Sequence, residues 1–300
     1  MRDVSAKVFS LRTATARAVV TMLPETVVTI REGRVPKGDP LPVAKVAAIQ
    51  AVKATPQLIP YCHTVPIEHV AVEFEVSDDR IAVEVSVKSI YKTGVEMEAM
   101  AGAMVAALNL YDILKMIDDT MEVQSVALLK KTGGKSNTSK AIGWAFGVLV
   151  VSDRISAGTR KDSSGAVLCE RLEGEGGRKV GFEVVPDEVE AVRKVVEEWA
   201  ANGVDFVVTT GGTGVSPRDV TPEAVSGLFT KSLTGVQDAL LGYGQARNPR
   251  AMLSRLCAGV IDKTTVVCLP GSESAVRDAV DALFPYLPHV FEIVRGAGHE

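Results

Sequence analysis

The sequence predicts two folds in tandem: an α+β domain over residues 1–140 and an α/β domain with a mainly parallel sheet over residues 141–300. Three observations predict this. The chain has 300 residues, and typical domains run to about 100–150 residues, so two fit better than one. The ordering of strand-like and helix-like segments changes character near residue 140. The polar run Ser136-Asn137-Thr138-Ser139-Lys140 sits at that change and reads as a linker.

In the first half, VAVEFEV (70–76) and IAVEVSV (81–87) alternate apolar and acidic residues, as half-buried strands do. Ser77-Asp78-Asp79-Arg80 between them predicts a hairpin connection. A helix is expected over 42–54, and a longer one rich in small residues over 98–117. Strands and helices that do not alternate regularly indicate an α+β arrangement. In the second half the order is regular. Strands are expected at 146–151, 182–185, 206–209 and 264–269, with helices at 164–172, 188–200 and 272–284. Continuous apolar strands alternating with helices imply a parallel sheet covered on both faces.

The composition excludes several function classes. There are 33 basic and 37 acidic residues. Of these, 17 basic and 16 acidic lie through Lys140, so the halves carry about +1 and −5. Neither value suggests a nucleic-acid or membrane partner. The start, MRDVSAKVFSLRT, lacks the apolar core of a signal peptide. The longest apolar stretch, 99–110, is shorter than the roughly 18–20 residues a membrane helix needs. Cys62, Cys169, Cys257 and Cys268 show no CxxC spacing, so neither a zinc knuckle nor a disulfide framework is indicated. A cytoplasmic protein with reduced thiols is expected.

Five polar features interrupt apolar surroundings in the first half. They are Lys37-Gly38-Asp39, the Cys62-His63 step, the turn from Lys92 to Glu98, the pair Asp112 and Lys115, and the Lys- and Gly-rich run from Lys130 to Ser136. Asp112 and Lys115 are three apart on a helix and share a face, so they can form an ion pair. A loop combining cations with glycines suits a triphosphate or pyrophosphate. Each feature taken singly also fits an ordinary solvated surface. Together, DVSAK (3–7), VTMLPET (20–26), KGDPLPVAKVAAIQ (37–50), LIPYCH (58–63), KTGVEMEA (92–99), LYD (110–112) and KTGGKS (131–136) resemble the MoaC family.

That resemblance implies a ferredoxin-like α+β fold and the conversion of 3′,8-cyclo-7,8-dihydro-GTP to cyclic pyranopterin monophosphate with release of pyrophosphate. It implies Asp112 as catalytic acid/base, with Lys115 beside it and Lys37 and His63 as basic catalytic groups. Tyr61, Cys62, His63, Met97 and Glu98 would contact substrate, and Lys131 and Lys135 would lie near the phosphates. Where the family continues with Pro-Leu after the histidine, this chain has Thr64-Val65-Pro66.

In the second half, a strand ending at Thr209 runs into Thr210-Gly211-Gly212-Thr213-Gly214, and Leu269-Pro270-Gly271-Ser272 forms a second turn at a later strand end. Glycine-rich turns after parallel strands expose backbone N–H groups to an anion. Asp187 and Asp219 follow strand ends nearby, and carboxylates beside a phosphate cradle suit Mg²⁺ with a nucleotide. VVSDRISAG (150–158), DSSG (162–165), VPDE (185–188), TTGGTG (209–214), SPRDVTPEA (216–224), LSR (253–255) and LPGS (269–272) resemble the MoaB/MogA molybdopterin-binding family. This implies adenylylation of molybdopterin by Mg-ATP. Asp219 would be catalytic and Asp187 would share the Mg²⁺. Gly211, Gly212, Thr213, Gly214, Ser254, Gly271 and Ser272 would bind substrate. The alternative is a domain that binds pterin, or serves as an assembly scaffold, without transferring AMP. The implied partners are small-molecule pterins and nucleotides, with assembly into a homo-trimer or hexamer and the first site completed across a subunit interface.

Overall fold

A computed structural model of the chain describes residues 1–134 and 143–296. The chain divides into two compact units, Met1–Asn137 and Thr138–Glu300. The linker expected at 136–140 lies outside the described residues.

The N-terminal unit runs β1 (Ser10–Thr21), α1 (Pro24–Arg31), α2 (Pro40–Leu58), β2 (His69–Val76), β3 (Arg80–Tyr91), α3 (Glu96–Leu114) and β4 (Glu122–Thr132). Its four-stranded sheet has the order β2-β3-β1-β4, every pair antiparallel. This is the ferredoxin-like βαββαβ arrangement, with an extra helix in the first crossover. The expected hairpin forms, pairing Val76 with Ile81.

Alanines 14, 16 and 18 of β1 are buried, opposite the Ala- and Gly-rich face of α3. Small residues let the layers approach closely. A side chain at Gly102 of α3 would press on Val52 of α2 at 2.8 Å and Val85 of β3 at 3.0 Å. The helix expected over 98–117 runs over Glu96–Leu114, with Glu96 and Glu98 in its first turn and Lys115 as its C-cap. It is long and apolar enough by composition to cross a membrane, yet Ala99, Ala103, Ala106, Leu110 and Leu114 form part of the unit's core.

The C-terminal unit begins with β5 (Trp144–Val151), α4 (Asp153–Ser156), α5 (Ser164–Gly174), β6 (Gly177–Val185), α6 (Val189–Ala201), β7 (Phe206–Thr210) and α7 (Thr221–Val225). It continues through β8 (Lys231–Ser232), α8 (Thr234–Gln245), β9 (Cys257–Ile261), β10 (Thr264–Leu269), α9 (Glu273–Leu283) and α10 (Pro288–Val294). The sheet order is β6-β5-β7-β10-β9-β8. The first four strands are parallel; β9 and β8 add an antiparallel edge. One face buries an aromatic cluster in which Trp144 lies 5.3 Å from Phe291 and 5.6 Å from Phe284, ring centre to ring centre. The other face carries Leu149, Val207, Val266 and Trp199. Helices cover both faces, as continuous apolar strands require. All four cysteines are free.

Candidate functional site

In the N-terminal unit the polar residues fall into two groups, one at each end of α3. At its C-terminal end Lys115 Nζ lies 2.7 Å from Asp112 Oδ1. Lys37 Nζ, from the loop before α2, lies 3.3 Å from Asp112 Oδ2 and donates to the Asp112 carbonyl at 2.9 Å. Gly38 takes a left-handed φ of +88°, and Asp39 caps α2 by accepting from Leu41 N–H, so the turn that delivers Lys37 is fixed. The Lys115 contact, then that of Lys37, holds the Asp112 carboxyl below its ordinary range; Asp112 in turn raises Lys115. Asp112 is therefore built as a carboxylate at neutral pH. All three side chains are exposed and open to a ligand.

At the N-terminal end of α3 lies a cavity of about 400 Å³ lined by Tyr61, Cys62, His63, Met97 and Glu98. Arg2 and Lys7 from the start of the chain also line it. Lys7 belongs to the DVSAK motif; Arg2 belongs to none. Glu98 sits in the first helical turn and is buried; desolvation pushes its carboxyl upward, and Glu96 adds to the rise. Burial likewise raises the Cys62 thiol, followed by the influence of Glu98, so Cys62 stands as a neutral contact and not a thiolate nucleophile. Tyr61 is 78% exposed at the rim.

Lys131 pairs with Glu96 at 3.1 Å and so belongs to this end. It lies in β4, not in a loop as the Lys-Gly composition suggested, because β4 pairs with β1 there, Ala14 opposite Lys131. Lys135 lies outside the described residues. In the Thr64-Val65-Pro66 segment Val65 is buried and the Pro66 carbonyl accepts from Ser89 Oγ at 2.7 Å, which fixes the loop. From Glu98 to Asp112 is fourteen residues, about 21 Å at 1.5 Å per residue. One copy of the chain therefore does not bring the five features to one place.

The C-terminal unit does bring its residues together. A cavity of about 640 Å³ opens where β5, β7 and β10 end, and it is lined by Asp187, Gly211 to Gly214, Asp219, Ser254, Gly271 and Ser272. Gly211 has φ +104°, and a side chain there would strike the Val151 carbonyl; only glycine serves. Thr221 Oγ1 donates to the Gly211 carbonyl at 2.8 Å, and Thr221 N–H to that of Gly212 at 3.0 Å. Thr213 and Ser254 hydroxyls meet at 3.1 Å. Ser272 caps α9 by accepting from Ala275 N–H.

Asp187 and Asp219 both face the glycine turn. A methyl group on Gly212 would lie 3.3 Å from Asp187 Oδ1, and one on Gly214 would lie 2.8 Å from Asp219 Oδ2. Each carboxylate accepts a backbone N–H: Asp187 from Asp153 and Asp219 from Ser216, both at 2.8 Å. Asp219 stands nine residues beyond β7, brought back by the loop rather than placed by the strand end.

Three further side chains, Asp153, Arg218 and Arg255, hold this arrangement. Asp153 Oδ1 accepts from Asp187 N–H at 3.0 Å, reciprocating the bond above, while Arg218 donates to Asp153 Oδ2 at 2.6 Å. Arg218, then the Asp187 backbone, keeps the Asp153 carboxyl below its ordinary range. Arg255 donates to the carbonyls of Gly214 at 2.6 Å and Asp219 at 2.5 Å and pairs with Glu223. Arg154, Arg160 and Lys161 add positive charge to the cavity wall. In the sequence Asp153, Arg218 and Arg255 stand within the SDR, SPRD and LSR wording.

Among the described residues no cluster of three or more His, Cys, Asp or Glu side chains could enclose a metal. Two carboxylates facing a glycine turn nevertheless fit Mg²⁺, which keeps waters and takes phosphate oxygens alongside one or two carboxylates.

Comparison with known proteins agrees with both halves. Residues 1–134 match the model of the MoaC family, and residues 147–289 that of a probable molybdopterin binding domain. The molybdenum cofactor biosynthesis bifunctional protein of Chlorobaculum tepidum is 45% identical over 299 residues, covering 100% of this chain and 96% of its own length. The cyclic pyranopterin monophosphate synthase of Geotalea uraniireducens is 51% identical over 138 residues, covering 45% of this chain and 86% of that protein. The solved structure of the molybdopterin biosynthesis enzyme MoaB from Thermus thermophilus is 38% identical, covers 51% of this chain and 97% of that one, and superposes with a TM-score of 0.49.

Proposed function

Since the chain belongs to the bifunctional molybdenum cofactor biosynthesis proteins, a MoaC-family unit followed by a molybdopterin-binding unit, we propose two reactions for it. The N-terminal unit converts 3′,8-cyclo-7,8-dihydro-GTP to cyclic pyranopterin monophosphate and pyrophosphate. The C-terminal unit transfers AMP from ATP to molybdopterin. Molybdenum cofactor biosynthesis is the setting of both.

The observation that carries the first reaction is Asp112 held between Lys115 and Lys37. Ring rearrangement and closure of a cyclic phosphate move protons in both directions. An ionised Asp112 accepts one, and the adjoining ammonium groups stabilise it and offset charge developing on phosphate. Tyr61, His63, Met97 and Glu98 line the cavity at the other end of α3 and hold the purine-derived ring. The separation along α3 supports a site shared between copies, the Asp112 group of one copy completing the cavity of another. A homo-oligomer, trimeric or hexameric, is therefore part of the proposal. The test is pyrophosphate release from the cyclic triphosphate by the full chain, with equilibrium sedimentation on the same preparation. A fully active monomer would sink the shared site.

The second reaction rests on Asp187 and Asp219 facing one glycine turn at the sheet's carboxyl edge. Backbone N–H groups of the turn and the cations Arg154, Arg160 and Lys161 receive phosphates. Ser254 and Ser272 orient the acceptor. Mg²⁺ bound at the two aspartates would neutralise charge on the transferring phosphoryl group. The measurement is adenylyl-molybdopterin formed by the full chain with Mg-ATP. Pterin binding without adenylate would reduce this unit to a carrier or scaffold. A cytoplasmic location is proposed with these activities, since nucleotide and pterin substrates are both found there.

A further inference from the structure

The motif VTMLPET (20–26) lines neither the cavity beside Glu98 nor that of the glycine turn. Its end meets the residues beyond α3 at one buried carboxylate. Asp118 is 3% exposed and accepts four hydrogen bonds. Its Oδ2 takes the Leu23 N–H at 2.8 Å and the Thr26 hydroxyl at 2.9 Å. Its Oδ1 takes the Thr120 N–H at 2.9 Å and the Thr120 hydroxyl at 2.7 Å. Burial by itself pushes this carboxyl upward; the four donors, Leu23 foremost, outweigh it and hold the group below its ordinary range. The two oxygens do different things. Oδ1 closes a turn two residues long, whereas Oδ2 reaches 95 residues back to the start of α1. No side chain of Leu23 caps that helix, and the carboxylate sets negative charge at its N-terminus.

We propose that Asp118 is a positioning residue for the Asp112 site: through Oδ2 it fixes α1 to the end of α3 and so sets Lys37 against Asp112. The proposal deepens the reading of the N-terminal unit and rests on it. Two stretches of chain leave this carboxylate and meet again at Asp112. One runs back into α3. Asp118 and Ile117 N–H both donate to the Leu114 carbonyl, and Lys115 N–H donates to that of Tyr111 at 2.9 Å, so the backbone between Asp112 and Asp118 is braced throughout. The other runs forward through α1 into a tight turn, where Arg34 N–H donates to the Thr29 carbonyl at 3.0 Å and Val35 is buried in the core. Two residues later Lys37 reaches Asp112. The loop thus has two cross-links. Lys37 to Asp112 is an exposed contact made by a long side chain, and such a contact orders little by itself. Asp118 to α1 is buried, and it holds the backbone of Lys37 where the exposed contact can form. The charged groups that face Asp112 are Lys115, from the cap of its own helix, and Lys37, from the segment that α1 leads. Tyr111 acts on Lys115. Slackening α1 therefore removes the Lys37 share alone.

The test uses the full chain and a matched pair of variants that keep side-chain shape. Thr26→Val deletes a hydroxyl bond to Oδ2, the link to α1; Thr120→Val deletes one to Oδ1, the local turn. Asp118→Asn disturbs both. The Asp112 carboxyl is followed by carbon-13 NMR, its signal assigned by its loss in Asp112→Asn. It should titrate at higher pH in Thr26→Val and higher still in Asp118→Asn, part of the way toward the ordinary value near 4. Because Lys37 is the second cause of the lowered value and Lys115 the first, neither shift should match that of Lys115→Gln. Thr120→Val should leave the titration at the wild-type position, whatever it costs in thermal midpoint. A titration unmoved in Thr26→Val and Asp118→Asn, or moved as far by Thr120→Val as by Thr26→Val, overturns the proposal and leaves Asp118 a structural residue. Should Asp118→Asn fail to fold, the two threonine variants still decide. The acid limb of kcat/KM for pyrophosphate release, measured on the same preparations, tests the reading beneath. A carboxyl that moves while the limb stays put keeps the positioning and removes Asp112 as the base. A limb that follows Asp112 in the wild type, with neither limb nor carboxyl moved by the variants, keeps the base and sinks the positioning.

Discussion

The two units solve the same problem, gathering polar groups from distant parts of a sequence, on sheets of opposite construction. In the C-terminal unit β5, β7 and β10 are parallel, so all three finish at one edge. The loops that leave them must meet there, and Asp187, the glycine turn, Asp219, Ser254 and Ser272 all line one cavity. In the N-terminal unit every strand pair is antiparallel and chain reversals occur at both ends. Its polar groups divide accordingly, Lys37, Asp112 and Lys115 at one end of α3 and Tyr61 to His63 with Glu98 at the other. Parallel topology lets one chain assemble a site by itself. Antiparallel topology parts the polar groups into two clusters, and the proposed sharing between copies would reunite them.

The sharpest way to break this comparison is Asp112→Asn. Pyrophosphate release should fall by on the order of 10²- to 10⁴-fold, the usual contribution of a general acid or base. The side chain is exposed, so the fold should persist, as circular dichroism would show. Mixing Asp112→Asn with a His63→Ala variant tests the sharing directly. Activity recovered in the mixed oligomer supports half-sites from different copies; a mixture as inactive as its components would place both groups in one copy's site.

Asp219→Ala is the counterpart on the parallel sheet, with an expected loss of about 10²- to 10³-fold in adenylate formation. No complementation by mixing should occur with Asp187→Ala, because both carboxylates face one turn of one chain. Rescue in that mixture would mean that the second site is also shared, and the contrast between the sheets would fail. Pterin affinity should survive Asp219→Ala. If it falls together with transfer, Asp219 is a structural residue of the loop.

What the sequence disclosed follows the same division. Continuous apolar strands such as 146–151 and 264–269 are unmistakable because both faces are buried, and their loops carry glycines that geometry demands. The central strand β1 went unread: SLRTATARAVVT buries alanines 14, 16 and 18, too small to mark an apolar face, between threonines and arginines. Edge strand β4 carries no pattern that marks it, since none of its residues is buried, and only its last residues, Lys130 to Thr132, fall in the expected loop. Individual site residues were legible through motif wording, whereas their supports were not. Asp153 and Arg255 act through single carbonyls and N–H groups of distant loops, contacts that no spacing rule encodes.

Arg255 measures how much such a support matters. Arg255→Ala removes bonds to the Gly214 and Asp219 carbonyls and the Glu223 pair. Stability should fall by about 1–3 kcal/mol, a charged donor's usual share once partial exposure is allowed for, read as a lower thermal midpoint. Adenylate formation should drop more than binding, since the loop carrying Asp219 loses its anchor. Arg255→Lys should recover little, because one ammonium cannot span two carbonyls and a carboxylate. Full recovery would show that charge alone holds the loop.

The smallest expected effect at neutral pH is that of Lys115→Gln, and it decides what the lysine does. Lys115 is the foremost reason the Asp112 carboxyl is held below its ordinary range, with Lys37 second. A lowered value means Asp112 stays ionised as pH falls, until the lowered value itself is passed. If the reaction needs the carboxylate, the acid limb of kcat/KM reports that ionisation. Removing Lys115 must then move the acid limb to higher pH, part of the way toward the ordinary carboxyl value near 4. At pH 7 the group would remain ionised, so a lysine that only tunes Asp112 can be replaced with little loss there. Exposed pairs of this kind contribute about 0–1 kcal/mol to stability, so folding should not confuse the result. A collapse of the neutral-pH rate with the acid limb unmoved would mean the opposite: Lys115 itself donates the proton or holds the phosphate, and Asp112 serves it.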